Sequence, residues 1–550
     1  MLAYLIRQSR YPLIAAAVAS VIAGVCSVLL LTQITAALTA VDTADRVAHA
    51  WIFAGIAVTA MLAKLVSSVL FERLGQSAHA TLRRFISSRV MGTDLRRLEE
   101  LGSPRIQSAL SEHTGNVAEF FVGLPALLVN TVIVSGCLIY MAWLSWFVFL
   151  AGVLVIGLGS VGYHLAHLYA VRHLDTAAKE QDRLFGFFRS LVEGAKELRL
   201  NAQRRARFST SLLNQSIEAV RHQRTLGMSV FVASAAWGNF LVYVFIGLVL
   251  FVFVGDVPDR ARVMTGFVLV FVYMVGPLEA LLLTLPRANL ARASATRVNE
   301  ITESLTQTDQ STEPASVALE SVQLSGVCHR YYHEGTDEVF TLGPLELAFR
   351  PGEITYLVGG NGSGKTTFAK LLAGLYRPEE GTIRLNDGVV SDGARDGYRQ
   401  LFSVVFSDFH LFETLLEGSS PALDLKGNEL LKKLQLAHRV QVRNGAFSAR
   451  SLSQGQCKRL ALVVALVEDR PFLIFDEWAA DQDPAFKDVF YRELLPELKA
   501  QGKTVLVITH DDRYFHLADR IVRLEEGQIV AVETAAEPCR PVRALPAVAT

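Results

Sequence analysis

Apolar residues are unevenly spread along this chain. From Tyr11 to Val41 there are 31 residues without Asp, Glu, Lys or Arg. Ala50 to Phe71 holds one charge, Lys64. Phe120 to Val171 has 52 uncharged residues. As a single helix that run would be ~78 Å long, against ~30 Å of hydrocarbon, so it must fold back as two spans. Its turn is predicted near Ala142 to Ser145. Thr225 to Gly255 is another uncharged run, and Val263 to Pro286 is broken only by Glu279. The pattern predicts six membrane spans. The competing reading, buried helices of a large soluble core, is disfavoured because such cores rarely contain several charge-free runs above ~18 residues.

Charge placement orients the spans. The segments 72–119 and 172–224 carry 7 and 11 Lys and Arg, whereas 33–50 and 256–262 carry 1 and 2. Basic loops stay on the cytoplasmic side. The N-terminus, with Arg7 and Arg10, is therefore expected in the cytoplasm, as is everything after about Arg287. The first run is too long for a signal-peptide core and reads as a retained helix. The two basic loops are rich in Leu, Arg, Glu and Ala, so each reads as two helices continuing from the spans. Turns are expected at Gly102-Ser103-Pro104 and near Leu200-Asn201-Ala202. Such stalks can carry movement between a membrane domain and whatever lies beneath it.

The segment 302–316, TESLTQTDQSTEPAS, is polar and carries a proline, the composition of a linker. A soluble α/β pattern begins near Ala318. The expected organisation is a membrane domain over 1–300, a linker over 301–317, a soluble domain over 318–535 and a loose tail over 536–550. Composition adds two exclusions. Lys plus Arg is 53 and Asp plus Glu is 53, which argues against a broad basic surface for nucleic acid. The five cysteines are scattered, without zinc or redox spacing.

The soluble part carries the legible chemistry. An apolar stretch, 353–358, runs into Gly359-Gly360-Asn361-Gly362-Ser363-Gly364-Lys365-Thr366-Thr367 and then a helical pattern. This is the G-x-x-x-x-G-K-[ST] phosphate loop in its strand–loop–helix setting. The glycines let backbone N–H groups close around phosphates, and the helix N-terminus adds a favourable dipole. Lys365 is expected on the β- and γ-phosphates of ATP, and the Thr366 hydroxyl on Mg²⁺. A second strand, 472–475, ends in Asp476 and Glu477. Asp476 suits the Mg²⁺ shell, and Glu477 suits polarisation of the attacking water. A third strand, 504–508, delivers Thr509 and His510, where a histidine can meet the γ-phosphate.

Leu452-Ser453-Gln454-Gly455-Gln456 opens a further helical stretch. At these residues the chain resembles the ABC transporter family, whose signature is LSGGQ, and the resemblance covers essentially all 550 residues. It implies a six-helix exporter membrane domain fused to an α/β P-loop nucleotide-binding domain. It further implies that Ser453, Gly455 and Gln456 cap the γ-phosphate held by the partner's phosphate loop, and that the working unit is a homodimer. The aromatic that stacks on adenine corresponds best to Tyr331, with Tyr332 as a near rival, and the D-loop aspartate to Asp483. Three positions depart from the family pattern. Gln454 replaces a glycine, Trp478 replaces a proline, and Ser407 replaces the Q-loop glutamine near Mg²⁺, with Asp408 beside it.

The stretches Ser407–Phe412 and Glu193–Asn201 resemble those of the cyclic-peptide and peptide-siderophore exporters, the pyoverdine and syringomycin exporters among them. That resemblance implies an ATP-driven exporter in the bacterial inner membrane, surrounded by lipid, carrying a peptide-like small molecule. A lipid flippase or general multidrug exporter of the same fold is the alternative. A soluble ATPase of the family conflicts with six fused spans, and a non-hydrolysing channel has no need of Glu477 and His510. The first span begins by about Tyr11, so no N-terminal peptidase domain is expected. Lys64, Glu279, His164 and His167 fall within spans, where charges face a cavity or a partner or snorkel to a span end. Gly276-Pro277 is a place for a kink in the sixth span.

Overall fold

The computed structural model describes residues 10–39, 46–253, 260–305, 318–332, 339–416, 418–448 and 452–534. Most of the expected linker, the tail after 535, and the side chains of Tyr332 and His167 lie outside the described residues. The chain divides into two compact units, Met1–Ser87 with Arg105–Thr302, and Ser88–Pro104 with Glu303–Thr550.

Among the described residues, six helices are long and apolar enough to cross a membrane: Arg10–Leu38, His49–Met91, Ser103–Leu144, Trp146–Glu193, Ala202–Phe251 and Met264–Leu281. The long uncharged run breaks at Ser145, whose extended backbone (φ −163°, ψ 118°) ends one span and starts the next. Trp143 and Trp146 flank that turn and are exposed, the placement of an interfacial aromatic belt. Helix contacts rely on small residues, as expected where the surroundings are as apolar as the core. A Cβ on Gly136 would stand 2.7 Å from Val28 Cγ2, and one on Gly24 2.7 Å from Val132 Cβ. Residues Ile133, Cys137, Met141, Phe245, Phe267 and Phe271 fill the interior between the helices.

The first basic loop breaks once before its Gly-Ser-Pro and turns again at it. The incoming helix Arg46–Met91 stops before Gly92, a short helix Leu95–Leu101 follows, and only then does Gly102 (φ +77°) reverse the chain. Ser103 and Pro104 already belong to the next helix. The second loop breaks at Gly194 and again at Asn201, whose side chain caps the following helix by accepting from the Arg204 N–H at 3.0 Å. The last helix of the unit runs from Arg260 to Ser304, four residues into the expected linker. Buried Thr302 and Leu305 anchor that extension, which the polar composition around them concealed.

Among the described residues, the second unit holds two larger sheets and a two-stranded one. Strands β1 (Val322–Tyr332), β2 (Val339–Phe349), β4 (Glu380–Leu385) and β5 (Gly388–Val389) form an antiparallel sheet in the order β2-β1-β4-β5. The larger sheet runs β12-β11-β3-β10-β9-β6. Its members are β3 (Ile354–Val358), β6 (Phe402–Val405), β9 (Phe472–Asp476), β10 (Thr504–Ile508), β11 (Arg520–Glu525) and β12 (Gln528–Thr534). A small hairpin, β7 (Val442–Arg443) with β8 (Ala446–Phe447), stands apart. Strands β3, β9 and β10 are buried along their whole length, which explains their unbroken Val, Ile, Leu and Phe runs. Strands β6, β9, β10 and β3 are mutually parallel. Their carboxyl ends therefore deliver Phe406-Ser407, Asp476-Glu477, Thr509-His510 and the Gly359 loop to one edge, the usual ligand edge of such a sheet.

Candidate functional site

The phosphate loop leaves β3 at Gly359 because no other residue fits there: a Cβ would stand 2.1 Å from the Leu524 carbonyl oxygen. Gly364 takes φ +98° and starts the helix Lys365–Leu372. Lys365 is 6% exposed and donates to the carbonyls of Gly359 (3.1 Å) and Gly360 (2.8 Å). Its ammonium thus lies folded over the loop it is expected to serve. Burial lowers its pKa, while Glu477 and Asp476 oppose that. Arriving phosphates restore the charge balance by supplying anionic oxygens.

Thr366 Oγ1 donates to Asp476 Oδ2 at 2.9 Å. Asp476 is 1% exposed, and its Oδ1 has no close hydrogen-bond partner among the described residues. Burial raises its pKa, against the pull of the Thr366 hydroxyl and the Ser407 backbone N–H. A buried carboxylate oxygen left without a donor, beside a threonine hydroxyl, is a hard-oxygen set suited to Mg²⁺. Among the described residues no cluster of three His, Cys, Asp or Glu could hold a metal ion by itself. Ser407 meets this site through its backbone, and its side chain is exposed.

His510 Nε2 lies 3.1 Å from Glu477 Oε1. Glu477 has a left-handed backbone (φ 50°, ψ 29°), which turns its carboxylate off the strand direction of β9. Tyr331, next to last in β1 and paired with Phe340, is 43% exposed. Asn361, Gly362 and Gly360 are exposed along the loop, while Ser363 is buried and Thr367 half-buried.

The signature residues sit at a helix start. Ser453 caps the helix Gln454–Val467, accepting from the Gln456 N–H while Gln456 Oε1 accepts from the Ser453 N–H at 3.0 Å. Gln454, in place of glycine, reaches Asp481 Oδ2 at 3.4 Å. Gly455 lies under the D-loop, where a Cβ would be 3.2 Å from the Asp481 carbonyl. Asp483 caps the next helix by accepting from the Phe486 N–H, and Arg459 holds it at 2.6 Å. Those two contacts keep the Asp483 carboxyl below its ordinary range.

Sequence reasoning missed a second cluster in this unit. Residues Ser88–Pro104 interrupt the membrane helices but group with the nucleotide-binding fold. Asp94 meets Arg377 at 2.8 Å, and Arg96 meets Glu379 at 2.8 Å. Glu99 accepts from Lys370 Nζ at 2.8 Å and from the buried Tyr376 hydroxyl. Lys370 belongs to the phosphate-loop helix, so this cluster touches the element that carries Lys365. The run Asp94–Glu100 was the available signal, and it reads as an ordinary charged surface.

An ABC transporter sequence profile matches residues 342–480. The chain is 35% identical over 524 residues to the ATP-binding protein SyrD of Pseudomonas syringae pv. syringae, covering 93% of this chain and 92% of that protein. It is 30% identical over 288 residues to an ATP-dependent lipid A-core flippase of Alkalilimnicola ehrlichii, 49% of this chain and 47% of the flippase. A macrolide export ATP-binding/permease protein MacB of Hyphomonas neptunium is 32% identical over 218 residues, 33% of its own length. Among solved structures, a bacterial Atm1-family ABC exporter with ATP bound shares the fold, with a TM-score of 0.70, 18% identity and 96% coverage of both chains. A six-helix membrane unit, one phosphate loop and one signature helix in a single chain thus place it in the ABC transporter family, as a half-transporter exporter that couples ATP hydrolysis to transport.

Proposed function

We propose that this exporter works as a homodimer in the bacterial inner membrane. It moves a peptide-like compound, a cyclic peptide, a peptide siderophore or its precursor, outward from the cytoplasm. The carrying observation is the reach of one resemblance. The match to SyrD spans 92% of that protein, membrane helices included, whereas the flippase and macrolide-exporter matches cover 47% and 33% of theirs.

One chain has one phosphate loop and one signature helix. Two copies related by a two-fold axis complete two equal ATP sites. ATP enters at Lys365, with Tyr331 against the base and the loop N–H groups around the phosphates. Mg²⁺ would be held by Thr366 and Asp476, where it neutralises phosphate charge. Ser453, Gly455 and Gln456 of the second copy close on the γ-phosphate, using a helix N-terminus as the anion site. Glu477 then orients and polarises the attacking water while His510 fixes its carboxylate. Closure and reopening reach the membrane helices through residues 88–104, which rest on the phosphate-loop helix through Glu99 and Lys370.

The test uses inside-out proteoliposomes loaded with the full chain. ATP-driven uptake of a labelled cyclic lipopeptide, absent with Glu477→Gln, is the expected result. Faster translocation of a labelled phospholipid without peptide uptake overturns the peptide reading in favour of a flippase.

A further inference from the structure

Trp478 is the residue the catalytic account leaves unused. It follows Glu477, where the family pattern has proline, and it is 1% exposed. Its ring packs against Phe486 and Phe490, with centroids 6.0 and 4.5 Å away. Its indole N–H donates to the Lys458 carbonyl at 2.6 Å. Lys458 answers in the opposite direction, donating from Nζ to the Glu477 carbonyl at 3.1 Å. The same ammonium pairs with Asp481 Oδ2 at 2.7 Å. Lys458 is 4% exposed and lies on the helix that begins with the signature.

These bonds form a closed loop around one peptide unit. Glu477 is a non-glycine residue at φ 50°, a conformation that persists only when its surroundings impose it. Its N–H donates to the Ile508 carbonyl at 3.1 Å, on the strand that delivers His510. Its carbonyl takes the Lys458 ammonium. Both ends of the residue are therefore fixed, and the side chain that points between them is the carboxylate facing His510. A buried ammonium is costly unless fully partnered, and this one spends a bond on the Glu477 backbone.

We propose that Lys458 and Trp478 are positioning residues for Glu477. They hold its backbone in the left-handed turn that presents the carboxylate to His510 and the attacking water. Both act through Glu477. Tryptophan thus replaces the family's proline with a hydrogen-bonded clamp to the signature helix.

Two substitutions separate this role from plain packing. Lys458→Met keeps length and helix propensity, and strands no buried charge because Asp481 is 45% exposed. Trp478→Phe keeps a ring and loses only the N–H. Each is expected to lower kcat about ten-fold with KM for ATP changed less than about two-fold, the pattern of an interaction lost at the chemical step. Affinity for a non-hydrolysable ATP analogue should hold, and Lys458→Arg should recover part of kcat. In a Glu477→Gln background, residual turnover of radiolabelled ATP should not fall further, since the clamp acts through the missing carboxylate. Unchanged kcat in both variants overturns the proposal. So does a parallel rise in KM, or a full additional loss in the Glu477→Gln background. If Lys458→Met fails to fold, Trp478→Phe alone carries the same readouts.

Discussion

His510 Nε2 and Glu477 Oε1 meet at 3.1 Å across the ends of two adjacent parallel strands, β10 and β9. In the proposed mechanism Glu477 supplies the carboxylate for water, and His510 restrains it. Glu477→Gln should abolish steady-state ATPase activity and leave ATP binding intact, because Lys365, Thr366 and Asp476 are untouched. Removing a general base typically costs about 10²–10⁴-fold. His510→Ala should also reduce turnover, by less if its part is orientation alone. Equilibrium binding of labelled ATP beside phosphate release checks both, and an unchanged rate in Glu477→Gln would refute the assignment.

Asp476 gives a prediction of opposite sign for stability and function. Burial raises its pKa above the ordinary 3.8 in the folded protein. The folded state thus holds that proton more tightly than the unfolded chain. Stability is unaffected below 3.8 and falls as pH rises through the raised value, because the buried carboxylate must then ionise. Wherever Asp476 is ionised in the fold, the nucleotide-free protein carries that penalty. Asp476→Asn should therefore raise the melting temperature of the nucleotide-free protein, by about 2–4 °C for each kcal/mol relieved in a domain of this size. With ATP and Mg²⁺ the order should reverse, since only the wild type gains stabilisation from bound ligand. Melting curves with and without nucleotide at pH 5 and 7.5 read both effects. A lower melting temperature for the nucleotide-free variant would contradict the sign.

Glu99 concerns coupling rather than chemistry. Its contacts to Lys370 and Tyr376 are partly exposed, and such pairs contribute only about 0–1 kcal/mol to stability. Their position matters more, between the first basic loop and the phosphate-loop helix. Glu99→Gln should leave melting temperature and basal ATPase activity within about two-fold, yet weaken the stimulation of ATPase by transported compound, as expected when a coupling free energy is reduced without loss of the site. Full stimulation in the variant would show that the contact does not transmit.

The degree to which these features are legible in sequence follows from how local their causes are. The break at Ser145 is visible because a 52-residue uncharged run cannot be one span. Lys365, Asp476 and His510 are visible because each follows an apolar strand, and parallel strands bring their ends together without further information. The grouping of residues 88–104 with the nucleotide-binding unit is not local. Glu99 meets Tyr376 and Lys370 from 277 and 271 positions away, and Arg96 meets Glu379 from 283. The departure at Trp478 is visible in sequence, but its meaning depends on Lys458, which reaches it only once β9 lies beside the signature helix. The same holds for Ser407, whose contribution to Asp476 comes from backbone that any residue would supply.

The last prediction tests the two-copy site. Ser453 caps its own helix and is exposed at that helix's start, presented outward rather than closed within its domain. If its target is the γ-phosphate on another copy, lesions in Lys365 and Ser453 should complement in a defined way. Subunits carrying Lys365→Ala are mixed with subunits carrying Ser453→Arg. The resulting heterodimer has one site with both lesions and one with neither. Each parent dimer has a lesion in both sites and should be inactive. Purified heterodimer, isolated by two different tags, should hydrolyse ATP at up to about half the wild-type rate if its intact site works alone, since two-fold symmetry makes the two wild-type sites equal. Inactivity of verified heterodimer would show that both sites must fire together. Full activity of an isolated monomer would end the two-copy reading altogether, because one chain would then supply loop and signature to the same nucleotide.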